Sequence, residues 1–260
     1  MSFIIIIINQ DFIYTTPLST HNVLIHSDFK PEMERFRALG RSAFVLGYTG
    51  LAGKALVKEL NKAKIFTKVV LIGRREIPLD VGPEFKQKVV DFGKIHEHKD
   101  VFQGLDTGFC CLGVSSKGIS QEDYIRITRD YCVSAAQVAK EQGCKHFTML
   151  TGNGTKKDSW YLFGRVKAEL EEKLEEMNFD RLSIYRPAMI LGDSEGMKVS
   201  EKLARACFKP ITYLSPTRLA ISDSLLARGM IVNVVKPHDP SVREIYENKA
   251  IHDLAHNWKD

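Results

Sequence analysis

The chain has 260 residues, 44% of them hydrophobic, enough to bury a sizeable core as one large α/β domain. Its net charge of +5 comes from 37 basic and 32 acidic residues mixed in both signs, with no long basic block and no interleaved aromatics, so nucleic-acid binding is not indicated. The cysteines (Cys110, Cys111, Cys132, Cys144 and Cys207) lack C-x-x-C spacing, which argues against a metal site and for a reducing compartment.

In chain order, residues 1–34 read as an N-terminal extension of unassigned role. The apolar run from Phe3 to Ile8 is far too short to span a membrane and has no basic flank of a signal peptide. Mitochondrial targeting is not supported, because arginine is absent before Arg35 while Asp11 and Asp28 are present. An edge strand or an aggregation-prone segment would suit the run equally.

A short helix from Glu32 to Leu39 precedes the stretch that organises the chain, SAFVLGYTGLAGK (42–54). Its apolar residues predict a strand, Gly47, Gly50 and Gly53 a tight turn, and Leu56, Val57 and Leu60 the helix that follows. A strand, a glycine turn and a helix N-terminus suit a pyrophosphate: Gly47 reverses the chain, Gly50 lets the backbone approach, and Gly53 packs helix on strand. The spacing is G-x-x-G-x-x-G rather than G-x-G-x-x-G, and an ordinary turn is the alternative.

A second strand, Lys68 to Ile72, ends in Gly73-Arg74-Arg75. An acid at this point would accept the ribose 2′-hydroxyl of NAD; two guanidinium groups suit the 2′-phosphate of NADP instead, with a solvated basic turn as the alternative. A third strand is expected at Lys88 to Phe92, with Asp91 placed to touch adenine or to stand as a solvated loop acid. After a polar helix (Lys94 to Phe102), the run from Thr107 to Gly113 predicts a fourth strand whose last glycine admits the cofactor. A helix from Gln121 to Gln142 then leads to a fifth strand, Lys145 to Leu150, which delivers Thr151 to the same edge; His146 inside it reads as structural. A helix from Lys156 to Met177 carries Val166, Leu170, Leu174 and Met177 on one face and Glu169, Glu171, Glu172 and Glu175 on its solvated side. The sixth strand runs from Asp180 to Tyr185, and helices at Glu201 to Phe208 and Ser222 to Val235 sit in a Pro- and Ser-rich remainder suited to a substrate lid. The alternation predicts an α/β fold, a Rossmann-type doubly wound parallel sheet, with a core over 35–190 and a small C-terminal substrate or lid region over 191–260 integrated with it.

As a set, LIGRR (71–75), VVDF (89–92), GFCCLG (108–113), RDY (129–131), GCKHF (143–147), FDRLSIYRP (179–187) and ENKAIHDL (247–254) resemble the short-chain dehydrogenase/reductase superfamily, in its atypical Tat-interactive protein branch. The resemblance covers roughly residues 35–254. It implies NADPH in the crevice, with Thr49, Gly50, Leu51 and Ala52 at the phosphates, Arg74 and Arg75 on the 2′-phosphate, Leu112 and Gly113 inside the crevice, and Ile190 near the nicotinamide. Lys167 matches the lysine that holds the nicotinamide ribose and lowers the pKa of a tyrosine four residues earlier, and Thr151 matches the serine that polarises a substrate carbonyl. The resemblance further implies an unidentified small-molecule substrate, roles in apoptosis and growth control, binding of an importin β-type partner, and a cytoplasmic address extending to the nucleus or nuclear envelope.

The chain departs from that pattern at the acid. Phe163 stands four residues before Lys167, and a phenyl ring has no proton to give. The nearby phenol is Tyr161, six residues before Lys167 and so rotated by about 600° along a regular helix, off the lysine's face; it can serve only if the chain before Phe163 is not yet regular helix. Two hypotheses stand: an NADPH-dependent oxidoreductase served by Lys167, Thr151 and Tyr161, or a non-catalytic NADPH-binding regulator of a protein partner.

Overall fold

The computed structural model describes residues 29–115, 118–192, 216–240, 243–256 and 258. Most of the N-terminal extension and the expected helix from Glu201 to Phe208 lie outside the described residues.

The apolar run β1 (Ser42–Leu46) is buried along its whole length, as a central parallel strand requires. It is flanked on one side by β2 (Lys68–Gly73) and on the other by β4 (Thr107–Cys110). Together with β3 (Phe85–Val89), β5 (His146–Leu150), β6 (Arg181–Arg186) and β9 (Glu244–Glu247) they form one parallel seven-stranded sheet, ordered β3-β2-β1-β4-β5-β6-β9. The order reverses between β1 and β4, and the crevice at their carboxyl ends is where such sheets bind ligands. A separate parallel pair, β7 (Met189–Leu191) and β8 (Ala220–Ser222), sits beyond the end of β6.

Each face of the sheet is covered. On one side lie α1 (Lys30–Ala38), α2 (Leu51–Ala63), α7 (Asp223–Val235) and α8 (Asn248–Ala255), whose Leu56, Leu60, Ile231 and Ile251 pack on Val45, Leu71 and Phe109. On the other lie a 3₁₀ segment (Phe92–Phe102), α4 (Tyr131–Glu141) and α5 (Leu162–Glu176), whose Phe102, Ala135 and Leu170 pack on Phe44, Cys110 and Phe147. The helix expected from Gln121 is three pieces: α3 (Gln121–Ile125), capped by the Ser120 hydroxyl, a π turn (Arg126–Asp130), and α4. A four-residue turn, α6 (Pro216–Leu219), leads into β8.

Besides the fourth strand, which ends at Cys110 and not at Gly113, two boundaries differ from the sequence expectation for physical reasons. The third strand is Phe85–Val89, not Lys88 to Phe92: it is the sheet edge, so it lacks a continuous apolar run, while the apolar Val90 and Phe92 that suggested a strand are buried after it has ended. The helix expected from Lys156 begins at Leu162, because residues 152–159 are folded into turns fastened by a Thr155 hydroxyl to Gly152 carbonyl bond of 2.7 Å. Within that helix Val166, Leu170 and Leu174 are buried as the periodicity predicts, but so is Glu171, 3% exposed rather than solvated.

The far edge of the sheet is sealed by polar groups. Arg181 on β6 donates through Nε at 3.0 and 3.1 Å to both carboxylate oxygens of Glu244 on β9, and its Nη2 donates to the Asn233 carbonyl at 2.7 Å. Ser183 donates to Glu244, and His146 Nε2 lies 2.8 Å from the Ser183 hydroxyl. Burial and the Arg181 guanidinium push the His146 pKa down to about 3, so the imidazole is neutral.

Candidate functional site

The first half of the site is built by the glycine turn at the β1–β4 reversal. Gly47 has φ +75°, and a Cβ there would lie 2.7 Å from the Cys111 carbonyl oxygen, so both conformation and space demand glycine. Gly50 is the N-cap of α2, which no side chain caps and whose first turn, opening with Leu51, Ala52 and the buried Gly53, holds no acid. That helix end suits an anion. Gly47, Thr49, Gly50, Arg74, Leu112 and Gly113 border one cleft, bringing together residues from the turn, the end of β2 and the end of β4. Arg75 does not border it, although its side chain is exposed beside Arg74.

Asp91 does not border the cleft either. Its carboxylate accepts from the Gly93 N–H at 2.8 Å and caps the 3₁₀ segment, so it serves its own loop. The cleft is bordered instead by Phe92, whose ring stacks on Tyr131 with centroids 5.9 Å apart at 23°. These two aromatics escaped sequence reasoning; the available signal was Phe92 in VVDF, beside the acid that drew attention.

The second half is a cavity of about 690 Å³ bordered by Thr151, Gly152, Phe163, Lys167, Met189 and Ile190, with Arg218 and Leu219 contributed by α6. Lys167 projects from α5 and donates through Nζ to the Thr151 carbonyl. Its ammonium lies 4.4 Å from the centroid of the Phe163 ring, a cation–π contact in the place where the resemblance calls for a phenol. Burial lowers the Lys167 pKa to about 8, partly offset by Cys132 and the Glu171 carboxylate.

Thr151 is buried, and its hydroxyl donates to Glu171 Oε1 at 2.6 Å. Glu171 in turn takes the Arg186 guanidinium, with Nε at 3.0 Å, and Arg186 also reaches Glu247 at 3.0 Å. The hydroxyl proton expected to polarise a substrate is thus committed to a buried carboxylate; it is the Thr151 carbonyl that engages Lys167. Tyr161, at the N-cap of α5, is 79% exposed and does not border the cavity. Sequence reasoning also missed Arg218, whose segment carried no motif. Among the described residues no group of His, Cys, Asp and Glu side chains is placed to hold a metal ion, and no helix is long and apolar enough to cross a membrane.

No protein-family model matches the chain. Among solved structures it is similar to a UDP-glucose 4-epimerase, with a TM-score of 0.62 at 16% identity over 82% of this chain and 80% of that one. It is also similar to MoeE5 in complex with UDP-glucose and NAD, with a TM-score of 0.59 at 16% identity over 79% of this chain and 74% of that one. These likenesses carry the fold, a Rossmann-like parallel sheet with helices on both faces. Among curated proteins, the Candida glabrata protein FMP52, mitochondrial, is 31% identical over 59% of this chain and 65% of its own length. Protein HTATIP2 of Rattus norvegicus is 40% identical over 220 residues, which are 84% of this chain and 90% of that protein. With such identity sustained over most of both chains, the chain belongs to the HTATIP2 family.

Proposed function

We propose that the chain binds NADP(H) along the crevice from the glycine turn to Lys167, and that it acts chiefly as a cofactor-responsive binding protein, with its acid/base half missing. Bound there, the nicotinamide would supply or accept a hydride. The α2 N-terminus and Gly47 would receive the pyrophosphate, Arg74 with Arg75 the 2′-phosphate, and Lys167 the nicotinamide ribose, beside Ile190. The observation that carries the reading is the Phe163 ring on the Lys167 ammonium at 4.4 Å: with Tyr161 outside the cavity and the Thr151 hydroxyl committed to Glu171, no hydroxyl donor among the described residues is poised for a substrate oxygen. Titration calorimetry with NADPH and NADH, beside NADPH oxidation against a panel of aldehydes, ketones and quinones, tests it. Tight NADPH binding without turnover is the expected result.

A second reading, an oxidoreductase, is favoured by one feature: the cavity of about 690 Å³ beside Lys167 has room for a small substrate next to a nicotinamide. Turnover on any member of the panel decides for it. Roles in apoptosis and nuclear import, an importin β-type partner and a cytoplasmic or nuclear address rest on the family resemblance alone. The fungal relative whose name places it in mitochondria speaks for another compartment, and cell fractionation separates the two.

A further inference from the structure

Tyr48, the second residue of the glycine turn, faces away from the cofactor crevice and is fully buried beneath the end of β2. Its hydroxyl lies 2.7 Å from the Arg75 carbonyl oxygen and 2.7 Å from Gln87 Oε1 on β3, two acceptors that share its single proton. Gln87 is held in turn: its Oε1 accepts from the Ile77 N–H at 3.0 Å and its Nε2 donates to the Ile77 carbonyl at 2.9 Å, which fixes the orientation of the amide. The Tyr48 ring also occupies the space beside Gly73, where a Cβ would come within 2.7 Å of Tyr48 Cε1. The backbone from Gly73 to Ile77 is therefore pinned at both ends and in the middle, by one side chain from the phosphate turn and one from the neighbouring strand.

Arg74 and Arg75 lie inside that pinned stretch. Both side chains are exposed, and among the described residues neither makes an ion pair, so what the fold fixes is the backbone that carries them. Burial and the Glu76 carboxylate raise the Tyr48 pKa, which keeps its hydroxyl protonated and donating. We propose that Tyr48 is a positioning residue for cofactor selectivity: through the Arg75 carbonyl and Gln87 it holds the 74–77 backbone so that both guanidinium groups are presented together to a ribose 2′-phosphate. This inference rests on the reading that the cofactor is NADP(H). Two arginines on a pre-ordered loop bind a phosphate without the cost of ordering that loop, whereas a 2′-hydroxyl gains nothing from that order.

The test compares 2′,5′-ADP with 5′-AMP by titration calorimetry, since the two differ only in the phosphate at issue, on wild type, Tyr48→Phe, Gln87→Leu and Arg74→Ala. Wild type should prefer 2′,5′-ADP, and Arg74→Ala should lose most of that preference. Tyr48→Phe should weaken 2′,5′-ADP by roughly five- to tenfold, the equivalent of one hydrogen bond, and leave 5′-AMP unchanged. Gln87→Leu should do the same, and it decides the matter if Tyr48→Phe does not fold. An unchanged ratio in both variants, or equal loss of both nucleotides, overturns the positioning role. A wild-type chain without preference overturns the NADP(H) reading itself, and this inference with it; the two failures are told apart because that one appears before any substitution is made.

Discussion

Replacing Phe163 with tyrosine returns a phenol to the place from which the proton donor is missing, and the structure sets how far its acidity should move. Phe163 Cζ and Lys167 Nζ lie 3.2 and 3.3 Å from one point, the position of a Cβ on Gly152, so a hydroxyl on Cζ would stand close to the ammonium. Opposite charges roughly 4–5 Å apart attract by about 3–4 kcal/mol at an effective dielectric constant near 20, which is about 2–3 pKa units. The ring is 38% exposed, so solvent screening cuts that roughly in half, and the phenol should titrate about one to one and a half units below its ordinary value of about 10. Because burial holds Lys167 itself at about 8, the two titrations overlap, and the apparent values belong to the pair. Below that range the lysine is charged and the phenol protonated, the state of a general acid. Near-ultraviolet difference absorbance reads the phenol directly. NADPH oxidation against the carbonyl and quinone panel should appear or rise by roughly 10²–10⁴-fold, the contribution of a positioned acid/base group. A phenol that titrates at its ordinary value, or oxidation that does not change while NADPH still binds, would refute the reasoning. If wild type already turns over and Tyr161→Phe abolishes it, the exposed tyrosine moves into the cavity to do the work.

Gly50→Asp should lose NADPH binding in calorimetry by setting a carboxylate against the pyrophosphate, yet keep or raise Tm: a Cβ there meets the Gly47 carbonyl oxygen no closer than 3.4 Å, and aspartate is a good N-cap for α2. Wild-type affinity in that variant would show that the phosphate lies elsewhere. Thr151→Val should cost about 1–2 kcal/mol in denaturant unfolding, from the lost bond to Glu171, with NADPH affinity intact; turnover abolished at unchanged stability would mean that the hydroxyl serves the substrate. Stability should fall in acid. His146 is held far below its unfolded value, so the unfolded chain binds the extra proton between about pH 6.5 and 3, and the lowered Glu244 pKa loses its stabilising charge in the lower part of the same window. The slope expected from His146 alone is about 1.4 kcal/mol per pH unit, and His146→Gln should flatten the upper part of it. An unfolding free energy independent of pH across that window would contradict the buried neutral imidazole.

The parts of the fold legible in the sequence were those dictated by local chemistry. Gly47 is demanded by its own φ and by the neighbouring Cys111 carbonyl, and the buried run from Ser42 to Leu46 could be little but a central strand. What escaped depended on distant partners. Glu171 looked like one more acid on a charged helix face until the chain brought Arg186 and Thr151 to it. The segment from Glu244 to Glu247 is too polar to announce a strand, and its acid becomes comfortable only against Arg181. At the site, the departure at Phe163 was legible as a missing phenol, but its contact with Lys167 was not, nor was the diversion of Asp91 into capping its own loop. The role of Tyr48 is invisible in the sequence because it lies beneath the turn, in contacts of its hydroxyl with a loop and a strand far along the chain.

The late strand β9 also orders events in time. β9 follows the other six strands of the sheet in chain order, so in synthesis it is the last of them to become available for pairing, after the strands around β1. Until then β6 is an open edge with an unpaired ladder, the state in which a partly assembled sheet recruits the wrong neighbour. Contacts that form after the rate-limiting barrier govern how fast a protein comes apart rather than how fast it assembles. If the Arg181–Glu244 clasp is such a contact, weakening it shortens the lifetime of the folded chain without slowing its assembly.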